Sequence, residues 1–202
     1  MRAARVGLVA LGASLLLSAG CGGDGSTDGG MQCAVTDAGF PPGPYGTSQD
    51  STLKNLSLRV QTGKDGVPAT KTLDAYRNDP ALKVLAIFGA AEWCAPCQAE
   101  QPELVADFNA YKKAGAPVAF VIAVTQNAAS QPSDDKTVRD WATKFNIPFD
   151  LASDPDNSLG PFFDPLKFPG TMVIRLCDMN ILSKWTGSLT GMTKSEIDSA
   201  LQ

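Results

Sequence analysis

The chain has 202 residues, 44% of them hydrophobic and 19% charged, with a formal net charge of -4 from 17 basic and 21 acidic side chains. That is enough apolar material for one core and too little charge for a disordered chain. There is no histidine, which excludes Ser-His-Asp and Cys-His catalysis, His-ligated metals and His-based pH sensing. No long basic run is present, so nucleic acid is not an expected partner.

The five cysteines point to thiol chemistry, disulfides or lipid attachment. Arg2 and Arg5 flank the start of a short apolar stretch, residues 6–17, which ends in Ser18-Ala19-Gly20-Cys21. A bilayer-spanning helix needs roughly 20 apolar residues, so this stretch reads as the h-region of a secretory signal. Ser-Ala-Gly-Cys resembles the lipobox of bacterial lipoproteins, with Ser18 where leucine is most usual. The resemblance implies residues 1–20 as a cleaved signal peptide and diacylglyceryl attachment at Cys21. It implies an anchored protein of the cell envelope on the periplasmic side. Gly22 rather than aspartate after the cysteine favours the outer membrane. Residues 22–30 are glycine-rich and polar with no apolar face, and read as a tether. Residues 21–50 are thus expected to be lipidated cysteine, tether and Pro-rich lead-in, and residues 51–202 the folded domain.

Residues 56–60 alternate as a half-buried strand, and residues 63–66 are a turn. Residues 73–78 are expected to form a short helix. Residues 82–89 are a compact apolar run suited to a strand buried on both faces. Residues 96–113 form a helix with Leu104, Val105, Phe108 and Tyr111 at helical spacing, and Gly115 is its stop. Residues 118–125 are a second buried strand. Asp134 or Asp135 caps a helix that carries Val138, Trp141, Ala142 and Phe145. A short strand at 148–151 and a helix at 157–163 follow. Residues 171–176 and 181–186 form a hairpin, and Thr193 to Glu196 fits a capping box for a last helix. This order implies an α/β layered domain. The acids at 134, 135, 154 and 156 do not have EF-hand spacing and are expected as caps and turns.

Glu92-Trp93-Cys94-Ala95-Pro96-Cys97 lies between a buried strand and a helix. A cysteine at a helix N-terminus faces free backbone N–H groups and the positive end of the dipole, which favour thiolate. Cys94 is therefore the expected nucleophile, with Cys97 one turn deeper to resolve a mixed disulfide. Pro96 suits a first helical turn. Zinc would need two further ligands, and Gln98 stands where a c-type haem site needs histidine. No metal and no organic cofactor are expected, since a dithiol carries two electrons itself.

Trp-Cys-Ala-Pro-Cys, Pro102 in the following helix and Phe168-Pro169-Gly170-Thr171 together resemble the thioredoxin superfamily. More closely the chain is similar to TlpA-like, redoxin-type periplasmic thiol–disulfide oxidoreductases. The resemblance covers residues 51–201. It implies a thioredoxin fold, a central mixed β-sheet flanked by helices, here with an N-terminal extension and a central insertion within residues 118–163. It implies that Pro169 is a cis proline beside the active site, where an extended substrate segment pairs. Trp93, Pro96, Phe168 and Pro169 are then the residues that meet substrate, with Trp93 shielding the sulfurs. Glu100 either tunes the Cys97 proton, as the resemblance implies, or is a solvated helix carboxylate. Phe88 stands where thioredoxin has a buried acid.

The function implied is reduction of protein disulfides through Cys94 and Cys97. Its partners would be protein thiols and disulfides and an upstream dithiol electron donor. A redoxin-type peroxidase is the alternative, although Ala91 stands where the peroxiredoxin pattern has threonine. A non-enzymatic partner-binding lipoprotein is another. Cys33 and Cys177 remain, as a structural disulfide pinning the lead-in to the sheet, as two independent thiols, as an intermolecular link at Cys33, or as a second redox pair that relays electrons.

Overall fold

The computed structural model describes residues 39–156, 158–163, 167–187 and 192–202. The signal, Cys21, the tether and Cys33 lie outside the described residues. In chain order the elements are β1 (Ser57–Thr62), β2 (Ala69–Thr72), α1 (Leu73–Arg77), β3 (Val84–Ala91), α2 (Ala95–Ala114), β4 (Val118–Gln126), α3 (Asp135–Phe145), β5 (Asp150–Ser153), β6 (Gly170–Arg175), β7 (Asn180–Thr186) and α4 (Met192–Ala200).

The strands form one sheet in the order β2-β1-β5-β4-β3-β6-β7. β3, β4 and β5 run parallel, and β1, β2, β6 and β7 add antiparallel pairings. The pleat of β3 explains why its whole run is apolar. Val84, Ala86 and Phe88 face one cluster with Leu104 and Tyr111 of α2, Trp141 of α3 and Ile197 of α4. Leu85 and Ile87 face a second cluster with Leu73 and Tyr76 of α1 and with Leu159, Phe162 and Phe163. A strand covered on both faces has no reason to alternate. β1 alternates from Ser57 to Val60, and the alternation breaks at the buried Gln61. This is the thioredoxin fold with its sheet extended by the β1–β2 hairpin. The stretch 118–163 supplies β4, α3 and β5, so it is built into the sheet rather than appended to it.

Four local expectations need correction. The strand expected at 148–151 lies at Asp150–Ser153. The helix expected at 157–163 is a series of turns over its described residues, because Gly160 and Pro161 interrupt it. The last helix already includes Met192, so Thr193 lies inside its first turn. β2, which the sequence did not reveal, is held by backbone pairing to β1. The lead-in also makes regular contacts. The backbone N–H groups of Asp50 and Leu53 donate to Ile181 and Met179 O at 2.8 Å each, and Lys184 Nζ donates to Thr47 O at 2.6 Å.

Asp134 is the cap of α3, and its Oδ1 accepts from the Thr137 backbone N–H and hydroxyl, each at 2.8 Å. These bonds hold its carboxyl below the usual carboxylate range. Asp134→Ala should cost about 1 kcal/mol at neutral pH. Because the folded-state pKa is depressed, that contribution is complete above the unfolded value and lost as pH falls through the folded one. Urea midpoints of the two proteins should therefore differ at pH 7 and converge in acid; a constant gap would remove the carboxylate from the cap.

Candidate functional site

The parallel strands deliver their C-terminal ends to one edge of the sheet. At that edge the β3–β4 register slips between Ala90 and Ala91. Such a slip turns a strand away from its ladder. The Glu92 N–H still donates to Gln126 O at 2.9 Å, and Cys94 then caps α2 in an extended conformation (φ -81°, ψ 101°). Cys94 and Cys97 are joined in a disulfide with Cα atoms 5.3 Å apart. The Cys97 N–H points at Cys94 Sγ, 3.1 Å away. Cys94 is 2% exposed and Cys97 fully buried, while Ala95 and Pro96 stand at the surface. Pro96 occupies the first turn, where no N–H is needed.

Trp93, 41% exposed, lies beside the pair. Its indole N–H donates to Gln126 Oε1 at 2.8 Å, and its ring meets Phe168 edge-on at 6.1 Å between centroids. The Phe168–Pro169 bond is cis. The structure thus brings Trp93, Cys94, Pro96, Cys97, Phe168 and Pro169 to one end of the sheet. Glu100 is half-buried, one turn beyond Cys97 on α2. Phe88 is a core residue against Phe120, with ring centroids 5.1 Å apart. Cys177 is disulfide-bonded, whereas Cys33 lies outside the described residues.

Gln101 was missed from the sequence. It is 2% exposed, donates from Nε2 to the Cys97 carbonyl at 2.7 Å and accepts from Trp141 Nε1 at 3.1 Å. A second amide does parallel work: Gln98 Nε2 donates to Glu92 O at 2.7 Å and Gln98 Oε1 accepts from Lys144 Nζ at 2.7 Å. Helix α3 is thereby tied to the first two turns of α2. The signal was available, since positions 97, 101, 104, 108 and 111 form one helical stripe and Gln101 is its only amide.

A cavity of about 260 Å³ adjoins the same region, between the segments after β4 and β5 and the Phe168 ring. Asp154 on its wall accepts from the Ser158 and Leu159 N–H groups at 2.8 Å each. Burial pushes its carboxyl up, and those two backbone donors oppose the rise. Among the described residues no three Cys, Asp or Glu side chains gather as a metal site, and no helix is long and apolar enough to cross a membrane.

The profile of the AhpC/TSA family matches residues 52–175. No curated protein matches the chain. Solved structures do. A protein named as a thiol:disulfide interchange protein DsbE from Chlorobium tepidum is 17% identical with a TM-score of 0.58, over 78% of this chain and 100% of that one. A protein from Bacteroides thetaiotaomicron named as a protein disulfide isomerase is 17% identical with a TM-score of 0.59, over 78% and 92% of the two chains. Xanthomonas campestris peroxiredoxin Q is 18% identical with a TM-score of 0.53, over 72% and 89%. At these identities the likenesses establish the fold, and the profile, which spans more than half the chain, establishes the family. The chain belongs to the AhpC/TSA family, as a redoxin-type thiol oxidoreductase of the thioredoxin superfamily.

Proposed function

We propose that this protein is a membrane-anchored, extracytoplasmic thiol–disulfide oxidoreductase that reduces protein disulfides through Cys94 and Cys97. The observation that carries the reading is the placement of Cys94 as the cap of α2, with the Cys97 N–H directed at its sulfur. That donor and the helix dipole favour thiolate on Cys94 once the pair is reduced. The Cys94 thiolate attacks one sulfur of a substrate disulfide. A bond forms between Cys94 Sγ and that sulfur, and the other substrate sulfur leaves as thiolate and takes up a proton. Cys97, deprotonated with Glu100 or water as acceptor, then attacks Cys94 Sγ and releases the second substrate thiol. Two electrons pass to the substrate, and the protein is left with the Cys94–Cys97 disulfide. An upstream dithiol restores the reduced form, so no organic cofactor and no metal is required.

Trp93, Pro96, Phe168 and Pro169 border the place where an extended substrate segment would lie. The lipid on Cys21 would hold the protein at the envelope membrane, with the outer membrane favoured. Residues 21–50 would form the tether and lead-in to a domain spanning 51–202. A Cys33–Cys177 disulfide would pin that lead-in to the sheet.

The reduction potential of the pair tests the direction. A value near thioredoxin's, about -270 mV, fits a reductant fed by a dithiol donor, whereas one near -120 mV would make the protein a disulfide donor. The family match and the likeness to peroxiredoxin Q favour a second reading, a redoxin-type peroxidase. Catalytic consumption of hydroperoxide with a thiol donor would put that reading first.

A further inference from the structure

We propose that the cavity beside Trp93 is a side-chain subsite for the disulfide substrate, and that it selects an apolar residue two positions from the substrate cysteine. This rests on the exchange reading above and adds the class of polypeptide the site would take. Two of the cavity's walls also hold the tryptophan next to Cys94: Gln126 through the indole hydrogen bond and Phe168 through the ring contact. The space therefore lies behind two residues that touch Trp93, the neighbour of Cys94 in the chain.

Much of its polar lining is already engaged. The Thr125 hydroxyl donates to Ala90 O at 3.1 Å, Gln126 Oε1 accepts from Trp93, and both Asp154 oxygens accept backbone N–H groups. What is left to meet a ligand is mainly the apolar surface of exposed Pro132 and half-buried Phe168, with Ser130 at the exposed edge. Leu159 is fully buried and Phe163 is 3% exposed, so they back that surface as packed walls and hold it in place without a ligand. The Asp154 carboxylate on the wall disfavours an acidic guest.

Size points the same way. A cavity of about 150 Å³ lined by apolar side chains holds a benzene ring, and this one is about 260 Å³. A leucine, methionine or phenylalanine side chain fits. In an extended segment the side chains at i and i+2 leave the same face about 7 Å apart. A peptide whose cysteine points at Cys94 across Trp93 thus presents its i+2 or i-2 residue on the cavity side. Burial of such a side chain corresponds to a gain on the order of 10- to 100-fold in rate at subsaturating substrate.

The test uses reduced full-length protein in detergent and synthetic peptides that carry one cysteine as its mixed disulfide with 2-mercaptoethanol. Each turnover oxidises the protein dithiol and yields one peptide thiol and one 2-mercaptoethanol. The second-order rate is read for leucine, phenylalanine, serine or aspartate at both i+2 and i-2, with 2-hydroxyethyl disulfide as a substrate that has no side chain. The expected result is at least tenfold faster reaction for leucine and phenylalanine than for serine, with aspartate slowest. Pro132→Trp, which fills the cavity from its exposed rim, should bring the leucine-to-serine ratio close to one. Equal rates for all four peptides on the unaltered protein, with 2-hydroxyethyl disulfide still reacting, would overturn the subsite and leave the exchange reading intact. No reaction with any disulfide would overturn both. A leucine preference that survives a folded Pro132→Trp variant would place the selecting surface elsewhere and overturn the subsite.

Discussion

Cys97→Ser should turn the protein into a trap. With Cys94 still at the head of α2, its thiolate attacks a substrate disulfide as before. The second step then lacks its nucleophile, because a serine hydroxyl has no thiolate to offer. Mixed disulfides at Cys94 should accumulate and disappear on treatment with dithiothreitol, while multiple turnover falls by roughly 1,000-fold or more, equal to about 4 kcal/mol of barrier. Cys94→Ser should lose turnover to the same extent and trap nothing. The asymmetry follows from geometry. Cys94 is the capping residue, flanked by exposed Trp93, Ala95 and Pro96, and Cys97 lies one turn inward with no exposed surface. The traps are read on non-reducing gels of the full-length protein after exposure to a disulfide-bonded protein substrate. Trapping by Cys94→Ser and not by Cys97→Ser would reverse the assigned roles. Trapping by neither would remove exchange as the function.

The residues of this dithiol were legible because their chemistry is local. A buried strand, a short turn and a helix start lie within about twenty residues, and the physics of a helix N-terminus needs nothing from elsewhere in the chain. β3 and β4 were legible for a related reason: strands buried on both faces must be apolar throughout. β2 was not, since Ala69–Thr72 is an edge strand whose residues are exposed or half-exposed, and its structure comes from the backbone of β1. The segment after β5 shows how a pattern misleads. Leu159, Phe162 and Phe163 stand at i, i+3 and i+4, the spacing of one helical face, yet they are buried through tertiary docking around the Asp154 carboxylate. The cavity was invisible because its walls come from positions between 125 and 168. Gln101 was overlooked although its place on an apolar stripe marked it, since a lone amide there has a meaning only once its partner Trp141 is known.

Gly170→Ala should destabilise the protein by about 1–3 kcal/mol, the usual cost of overpacking a close-packed site. Gly89 of β3 and Gly170 of β6 are cross-strand partners, and the Phe163 ring lies across both. A methyl group at 170 would sit 2.5 Å from Phe163 Cδ1, and one at 89 would sit 2.9 Å from Cδ2. The ring cannot turn away from one glycine by sliding over the other, and it is 3% exposed, so it has to lift off the strand pair. Because Phe163 is also a wall of the cavity, lifting it reshapes the space beside Phe168. A double-mutant cycle isolates the contact. Phe163→Ala alone should cost about 3–5 kcal/mol, and Gly170→Ala added to it should cost close to nothing, since the ring it would meet is gone. Urea denaturation of the four proteins measures both terms. Additive costs would mean that the glycine is needed for its own backbone, and the ring would then have no part in fixing the end of the sheet where the disulfide sits.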